Sequence, residues 1–191
     1  MTYYPEWMIR DEYFRQVVEE APERIVCLDI ETTGLDPQRD GIISLSIVDL
    51  DGNPLFDSLI HTYRKTVWPE AYRINRISPR DVRDAPSVPQ IRDEVESVLS
   101  EAEVIVGYNH TRFDLPMMES NGFNVPRTVL FDVFNQFYNT VGDGGRHRLA
   151  DCAAYCCVDF DEAHRAHTSL GDAAVTMECA LRLTGIAGGD E

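Results

Sequence analysis

Residues 24–34 read Arg-Ile-Val-Cys-Leu-Asp-Ile-Glu-Thr-Thr-Gly, and the reading of this stretch decides the architecture. Residues 24–30 are apolar on both faces, the pattern of a strand covered from both sides at the centre of a sheet. Strand side chains alternate, so Asp29 and Glu31 at its end share one face. Two carboxylates following Ile25, Val26 and Leu28 are costly unless water or cations compensate them. A pair of hard divalent cations does so, because carboxylate oxygen is the ligand that Mg²⁺ and Mn²⁺ prefer. Solvation of two strand-end carboxylates at a loop is the alternative.

Outward from this strand, residues 41–50 form a second apolar run rich in Ile and Val. Asp51-Gly52-Asn53-Pro54 has turn chemistry and predicts a hairpin into a third strand over residues 55–62. Upstream, residues 11–20 read as a short helix. Residues 89–100 (PQIRDEVESVLS) have amphipathic helical spacing, and residues 103–108 (EVIVGY) are another buried strand. A helix over about 111–120 and a short strand over 128–133 follow. Two last helices, 148–157 and 169–183, are joined by an acidic loop containing histidine. This order predicts one α/β domain with a mixed sheet, spanning residues 1–191 with its core at about 24–183.

Composition narrows the function. The 191 residues, 43% hydrophobic and 26% charged, suit a globular protein that needs no disulfides. No segment approaches the ~18 consecutive apolar residues of a membrane span, and the N-terminus lacks a secretory pattern, so a cytoplasmic location is expected. Five cysteines, an odd number, argue against a disulfide framework; Cys152, Cys156 and Cys157 read as buried thiols on a helix. The net charge of −16 excludes tight, non-specific duplex binding, since that needs a basic surface. A site that meets phosphates through metal ions has no such need. The basic residues are sixteen Arg and the single Lys65, which fits either a GC-rich genome or a salt-adapted host.

Further groups could join Asp29 and Glu31. Thr32-Thr33-Gly34 makes a polar turn able to hold a terminal sugar, or serves as ordinary loop chemistry. Asp114 follows residues 103–108 and leaves the same sheet edge if that strand runs parallel to the first; a helix-start carboxylate is equally served by the dipole. Ser169 and Asp172 have the spacing of a helix cap, with His167 just ahead on a loop. A histidine beside metal-bound water suits a general base. Arg146-His147-Arg148 can meet a phosphate or simply begin a solvated helix.

Taken together, DIETTG (29–34), YNHTRFD (108–114) and HTSLGD (167–172) resemble, in order and spacing, the three motifs of the DnaQ-like DEDDh exonucleases. The segment ISPRDVRDAPS (77–87) resembles the family's approach to its second motif. The resemblance implies a ribonuclease H-like mixed five-stranded sheet flanked by helices. It implies 3′–5′ removal of nucleoside monophosphates from DNA or RNA with two divalent cations, Mg²⁺ or Mn²⁺. Asp29, Glu31, Asp114 and Asp172 would hold the metals and His167 would be the base. Thr32, Thr33, Gly34, Leu35 and Asn109 would meet the substrate. His164 is a decoy: the family has an Asp five residues after its histidine, which His167 satisfies and His164 does not. Asn109-His110 departs from the His-Asn of many members towards the N-x-x-x-F-D form of some proofreading domains. The partner expected is the 3′ end of single-stranded DNA or RNA, with no membrane association. With little chain after the last helix, a stand-alone enzyme is favoured over a polymerase-bound proofreading subunit. The remaining alternatives are an endonuclease, a nuclease of very short oligoribonucleotides and an inactive exonuclease-like binding module.

Overall fold

The structure, a computed structural model, describes residues 6–142, 144–145, 147–160 and 168–186, with side chains from residue 11 onward. Five strands form one mixed sheet in the order β3-β2-β1-β4-β5. They are β1 (Ile25–Thr32), β2 (Ile42–Val48), β3 (Pro54–Leu59), β4 (Val104–Gly107) and β5 (Val129–Asp132). β1 is central, pairing antiparallel with β2 (Leu28 opposite Ile47) and parallel with β4 (Ile25 opposite Val104). β4 and β5 are also parallel. The C-terminal ends of β1, β4 and β5 therefore open on the same edge, as the expected placement of Asp114 requires.

Seven α-helices are seen among the described residues: α1 (Glu6–Glu20), α2 (Pro69–Asn75), α3 (Val88–Glu101), α4 (Asp114–Asn121), α5 (Val133–Val141), α6 (Leu149–Tyr155) and α7 (Ser169–Leu183). They cover both faces of the sheet. On one face Ile25, Cys27, Val104, Val106 and Phe131 pack with Phe14 and Val17 of α1 and with Phe137, Cys152 and Val175 of α5, α6 and α7. On the other, Val26, Leu28, Ile30, Leu45 and Ile105 pack with Val95 and Leu99 of α3 and with Met117 and Met118 of α4. Each such side chain contributes ~1.5–3 kcal/mol when fully buried. This alternation along β1 decides the site: Asp29 and Glu31 continue the Ile25–Cys27 register onto the face covered by α7.

Several elements differ from the sequence reading. β1 runs two residues past the expected end because Asp29 and Glu31 pair with Ser46 and Ser44 of β2. β3 stops at Leu59, and His61 makes only an isolated bridge to Ser87. α2 and α5 were not expected; α2 and its flanks close a third small core in which Trp68, Ile77 and Val82 cover Ile43. Cys152 and Cys156 are buried as expected and are joined by Cys179 of α7, with the three sulfurs within 4.8 Å of one another. Cys157 is exposed, because it turns into the left-handed region (φ 57°) just after α6.

Candidate active site

The open edge of the sheet gathers four carboxylates from three parts of the chain. Oxygens of Asp29 and Glu31, on β1, and of Asp172, in the first turn of α7, all lie within 4.8 Å of one another. Asp114, the first residue of α4, is buried at 4% exposure and faces Asp29 across the edge. The two helix starts present their positive ends to this cluster. His167 lies outside the described residues, immediately ahead of the Thr168 cap of α7 in the sequence.

The supports of these carboxylates were largely invisible in the sequence. Thr168, rather than Ser169, caps α7, accepting from the Gly171 N–H at 3.4 Å. Ser169 instead turns inward, its hydroxyl 2.7 Å from those of both Ser44 and Ser46 on β2. Ser46 in turn donates to Asp57 of β3 at 2.7 Å. This buried hydroxyl chain pins the first turn of α7, and with it Asp172, to the sheet. Asn75, at the end of α2 and 3% exposed, donates to the Thr32 carbonyl at 3.2 Å and hydrogen-bonds Glu31. No motif marks Asn75; only the third small core places it.

Asp132, where β5 meets α5, organises the segment that leads to Asp114. Its carboxylate accepts from the Asn109 N–H at 2.9 Å, the Thr111 hydroxyl at 2.6 Å and, as cap of α5, the Phe134 N–H at 3.2 Å. Burial pushes the Asp132 carboxyl up, but the facing His110 and these donors hold it below its usual value. His110 is fully buried, its Nδ1 3.5 Å from Asp132. A side chain at position 107 would put Cβ 2.6 Å from that ring, so only Gly107 lets His110 sit there. Asn109 adopts φ 58°, a left-handed conformation that asparagine tolerates better than most residues. The Asn-His order thus follows from backbone geometry and packing.

The Thr32–Leu35 turn is braced from within. Thr32 donates to the Gly34 carbonyl at 2.7 Å, and Thr33 donates to Asp40 at 2.8 Å while accepting from the Gly41 N–H at 3.0 Å. A Cβ on Gly34 would meet Asp40 at 2.5 Å, so the turn closes only around glycine. Leu35, 81% exposed, projects from the turn into solvent.

Electrostatically the cluster is over-charged. Burial pushes the Asp29 carboxyl well above the usual carboxylate range, and the charges of Asp114, Asp172 and Glu31 add to it. Glu31 is pushed up to about 7, by burial first and then by Asp172, against the Asn75 hydrogen bond. Asp114 is likewise pushed up to about 7 by burial, against the pull of His110 and of backbone N–H groups. A facing set of oxygen donors that repel one another fits divalent cations, whose charge replaces the protons the cluster otherwise retains.

A pH dependence follows. Between their unfolded values of 4.5 and 3.8 and their folded values near 7, Glu31 and Asp114 bind more protons folded than unfolded. Stability of the cation-free protein therefore falls as pH rises through this window. Melting temperature in EDTA is expected to drop from about pH 5 to about pH 8 by on the order of 5 °C. Mg²⁺ or Mn²⁺ should restore it at the higher pH. A flat profile with no response to either cation would reject the cluster as a cation site.

A family model described as RNase T, exonuclease, matches residues 26–180, which contain all of these carboxylates. The chain belongs to this exonuclease family. Its activity is that of a 3′–5′ exonuclease, and its five-stranded mixed sheet flanked by helices is the ribonuclease H-like architecture. The DNA polymerase III subunit epsilon of Rickettsia typhi is 27% identical over 175 residues, covering 85% of this chain and 74% of that protein. The same subunit of Rickettsia prowazekii is 26% identical over the same length and coverage. Among solved structures, exonuclease X in complex with 5′-overhanging duplex DNA superposes with a TM-score of 0.66 at 20% identity, over 87% of this chain and 94% of that one. E. coli exonuclease I in complex with a dA16 oligonucleotide gives 0.64 at 17% identity, over 84% of this chain and 42% of its own. At these identities the structural likeness is one of fold. Exonucleases of this family depend on divalent metal, in keeping with the Asp29, Glu31 and Asp172 oxygens gathered here. No helix among the described residues is long and apolar enough to cross a membrane.

Proposed function

We propose that this protein is a DEDDh-type exonuclease that releases nucleoside monophosphates from the 3′ ends of single-stranded DNA or RNA, with residues 1–191 as a single exonuclease domain whose core spans about 24–183. The observation that carries the reading is the convergence of Asp29, Glu31, Asp114 and Asp172 on one sheet edge against their mutual repulsion. These four carboxylates would hold two divalent cations, Mg²⁺ or Mn²⁺. When bound there, the cations lower the pKa of the attacking water and offset charge on the leaving 3′ oxygen. His167 accepts the proton of that water. The hydroxyls of Thr32 and Thr33 hold the turn in shape, so the terminal nucleotide meets the turn's outer surface and the exposed Leu35 side chain.

Digestion of 5′-labelled single-stranded DNA and RNA with Mg²⁺ or Mn²⁺ tests this directly, beside an Asp29→Ala control. A ladder that shrinks from the 3′ end and is absent in the control is the expected result. Substrate left intact in every lane would favour an exonuclease-like binding module instead. The likeness to polymerase III epsilon subunits supports a second reading, a proofreading subunit held by a polymerase. Preferential removal of a mismatched 3′ nucleotide in the presence of that polymerase would mark it.

A further inference from the structure

Two helices bring three cysteines to one point in the core, away from the acidic cluster. Cys152 lies in α6 and Cys156 directly after its last residue, so their four-residue spacing puts both on one side of that helix. Cys179 comes from α7, 23 positions beyond Cys156. The three sulfurs lie within 4.8 Å of one another. Cys152 and Cys179 are fully buried, and Cys156, at the rim, is 9% exposed. The sequence shows only C-x3-C-C; the third sulfur arrives through the packing of α6 on α7.

Thiols that pack as small apolar groups are the simpler account of such a set. Two features go beyond it. Cys156 is hydrogen-bonded to both of the other thiols, so the three sulfurs are turned towards one another. Arg182, three residues after Cys179 on α7 and paired with Glu178 at 2.7 Å, brings a positive charge that favours a thiolate at Cys156. A core packed only for volume needs neither.

Ligand type and geometry select an occupant. Thiolates around one ion at ~2.3 Å stand about 4 Å apart, so these sulfurs need to close by less than about 1 Å. Mg²⁺ and Mn²⁺ take oxygen, whereas thiolates select soft cations such as Cu⁺ and Zn²⁺. Zn²⁺ in a structural site almost always takes four ligands. Among the described residues, no histidine, carboxylate or further thiol joins the three sulfurs within the same distance. An all-sulfur set of three ligands suits the softer, monovalent ion.

We propose that Cys152, Cys156 and Cys179 bind one Cu⁺ ion, in preference to Zn²⁺, and that the ion clamps α6 to α7. The thiols give up their protons to solvent as three sulfur–copper bonds form, with no change of oxidation state. The site is separate from the acidic cluster: Cys179 stands seven residues after Asp172, about 10 Å along α7. Ligand softness sorts the cations, hard ones to the carboxylates and a soft one to the sulfurs.

Anaerobic titration of the reduced protein with Cu⁺, buffered by a copper(I) chelator, should show one ion per chain and a thiolate-to-copper absorption band. X-ray absorption at the copper edge should show three sulfur neighbours and no nitrogen or oxygen. With free Cu⁺ held at about a hundred times its Kd, melting temperature should rise by ~5–10 °C. An equimolar mixture of Cu⁺ and Zn²⁺ should load copper. Loss of a group that merely orients a ligand costs about 10–100-fold in metal affinity, so Cys156→Ser, which removes a ligand, should cost at least about a hundredfold. Its place at the rim leaves the core packing intact, which melting without metal would verify. Cys179→Ala should lose the copper-dependent rise in melting temperature, whereas Cys157→Ser, at an exposed position, should still take up one ion. Full affinity in Cys156→Ser, loss of uptake in Cys157→Ser, or nitrogen or oxygen around the copper would overturn the proposal. So would preferential loading of Zn²⁺, or a wild-type melting temperature indifferent to Cu⁺.

Discussion

Replacing Asp29 with asparagine is expected to reduce 3′-end cleavage at least about a thousandfold while making the cation-free protein more stable at pH 8. The first effect follows from the place of Asp29 in the cluster. Its carboxylate feels Asp114, Asp172 and Glu31 together, so its loss would take a central oxygen donor from the proposed cation site. Metal assistance contributes several kcal/mol to such hydrolyses, and each 1.36 kcal/mol is a factor of ten in rate. The second effect has the opposite sign because Asp29 is held, partly buried, among like charges, and its ionised form opposes folding whenever no cation is bound. Asp172→Asn should behave in the same way, since Asp172 is a principal source of the repulsion felt by Asp29 and Glu31. Rates on a 5′-labelled oligonucleotide, with melting curves in EDTA and in Mg²⁺, separate the two effects. A variant that loses activity because it is damaged would melt earlier in EDTA. Full activity in Asp29→Asn would overturn the assignment of the cluster to metal.

Charge explains why so acidic a chain can act on nucleic acid. On the proposed reading, cations would relieve the repulsion within the Asp29–Glu31–Asp172 group, so the acidic site and the polyanionic substrate would come together only when metal is present. Binding should accordingly be weak without metal and confined to ends that can enter the cleft.

Local signals carried the sheet and the acidic cluster into view. The run of Ile25, Val26 and Leu28 identifies a central strand because side chains on both of its faces are buried, at 0–2% exposure. Asp29 and Glu31 share a face by simple alternation, and the parallel pairing of β1 with β4 places Asp114 beside them. What stayed hidden depends on contacts between distant residues. The apolar pattern of the strand ends at Ile30, yet its last carboxylates are held in the ladder by Ser44 and Ser46 across the sheet. α5 (VFNQFYNTV) is rich in β-branched and aromatic residues, poor helix formers, and is a helix because Asp132 caps it and Phe137 packs into the core. Asn75 reaches Glu31 only because a small core around Trp68 turns the end of α2 inward. Ser169 had the spacing of a cap, but β2 offers it two buried hydroxyls, and Thr168 takes the cap. The hydrogen bonds that turn Asn75 and Ser169 inward join residues 43 to 125 positions apart, beyond the reach of any local window.

His167→Ala is expected to slow cleavage by about 10²–10⁴-fold, the usual worth of a positioned general base, without loss of cation binding. The position is singled out by spacing: His167 stands five residues before Asp172, whereas the residue five after His164 is Ser169, whose hydroxyl is committed to Ser44 and Ser46. His164→Ala should therefore cleave at close to the wild-type rate. The difference between the carboxylates and the histidine lies in what each loss leaves behind. Without Asp29 the cations lose a ligand, and the Mg²⁺-dependent rise in melting temperature should shrink. Without His167 that rise should persist in full, because an imidazole that takes a proton from water need not hold the metal. The pH profile adds a second discriminator. With cations bound, the carboxylates are held ionised well below neutrality, so an ascending limb near pH ~6.5 in the wild type belongs to an imidazole. In His167→Ala the residual rate should lose that limb and rise with hydroxide instead. Retention of the limb in His167→Ala, with its loss in His164→Ala, would exchange the roles of the two histidines.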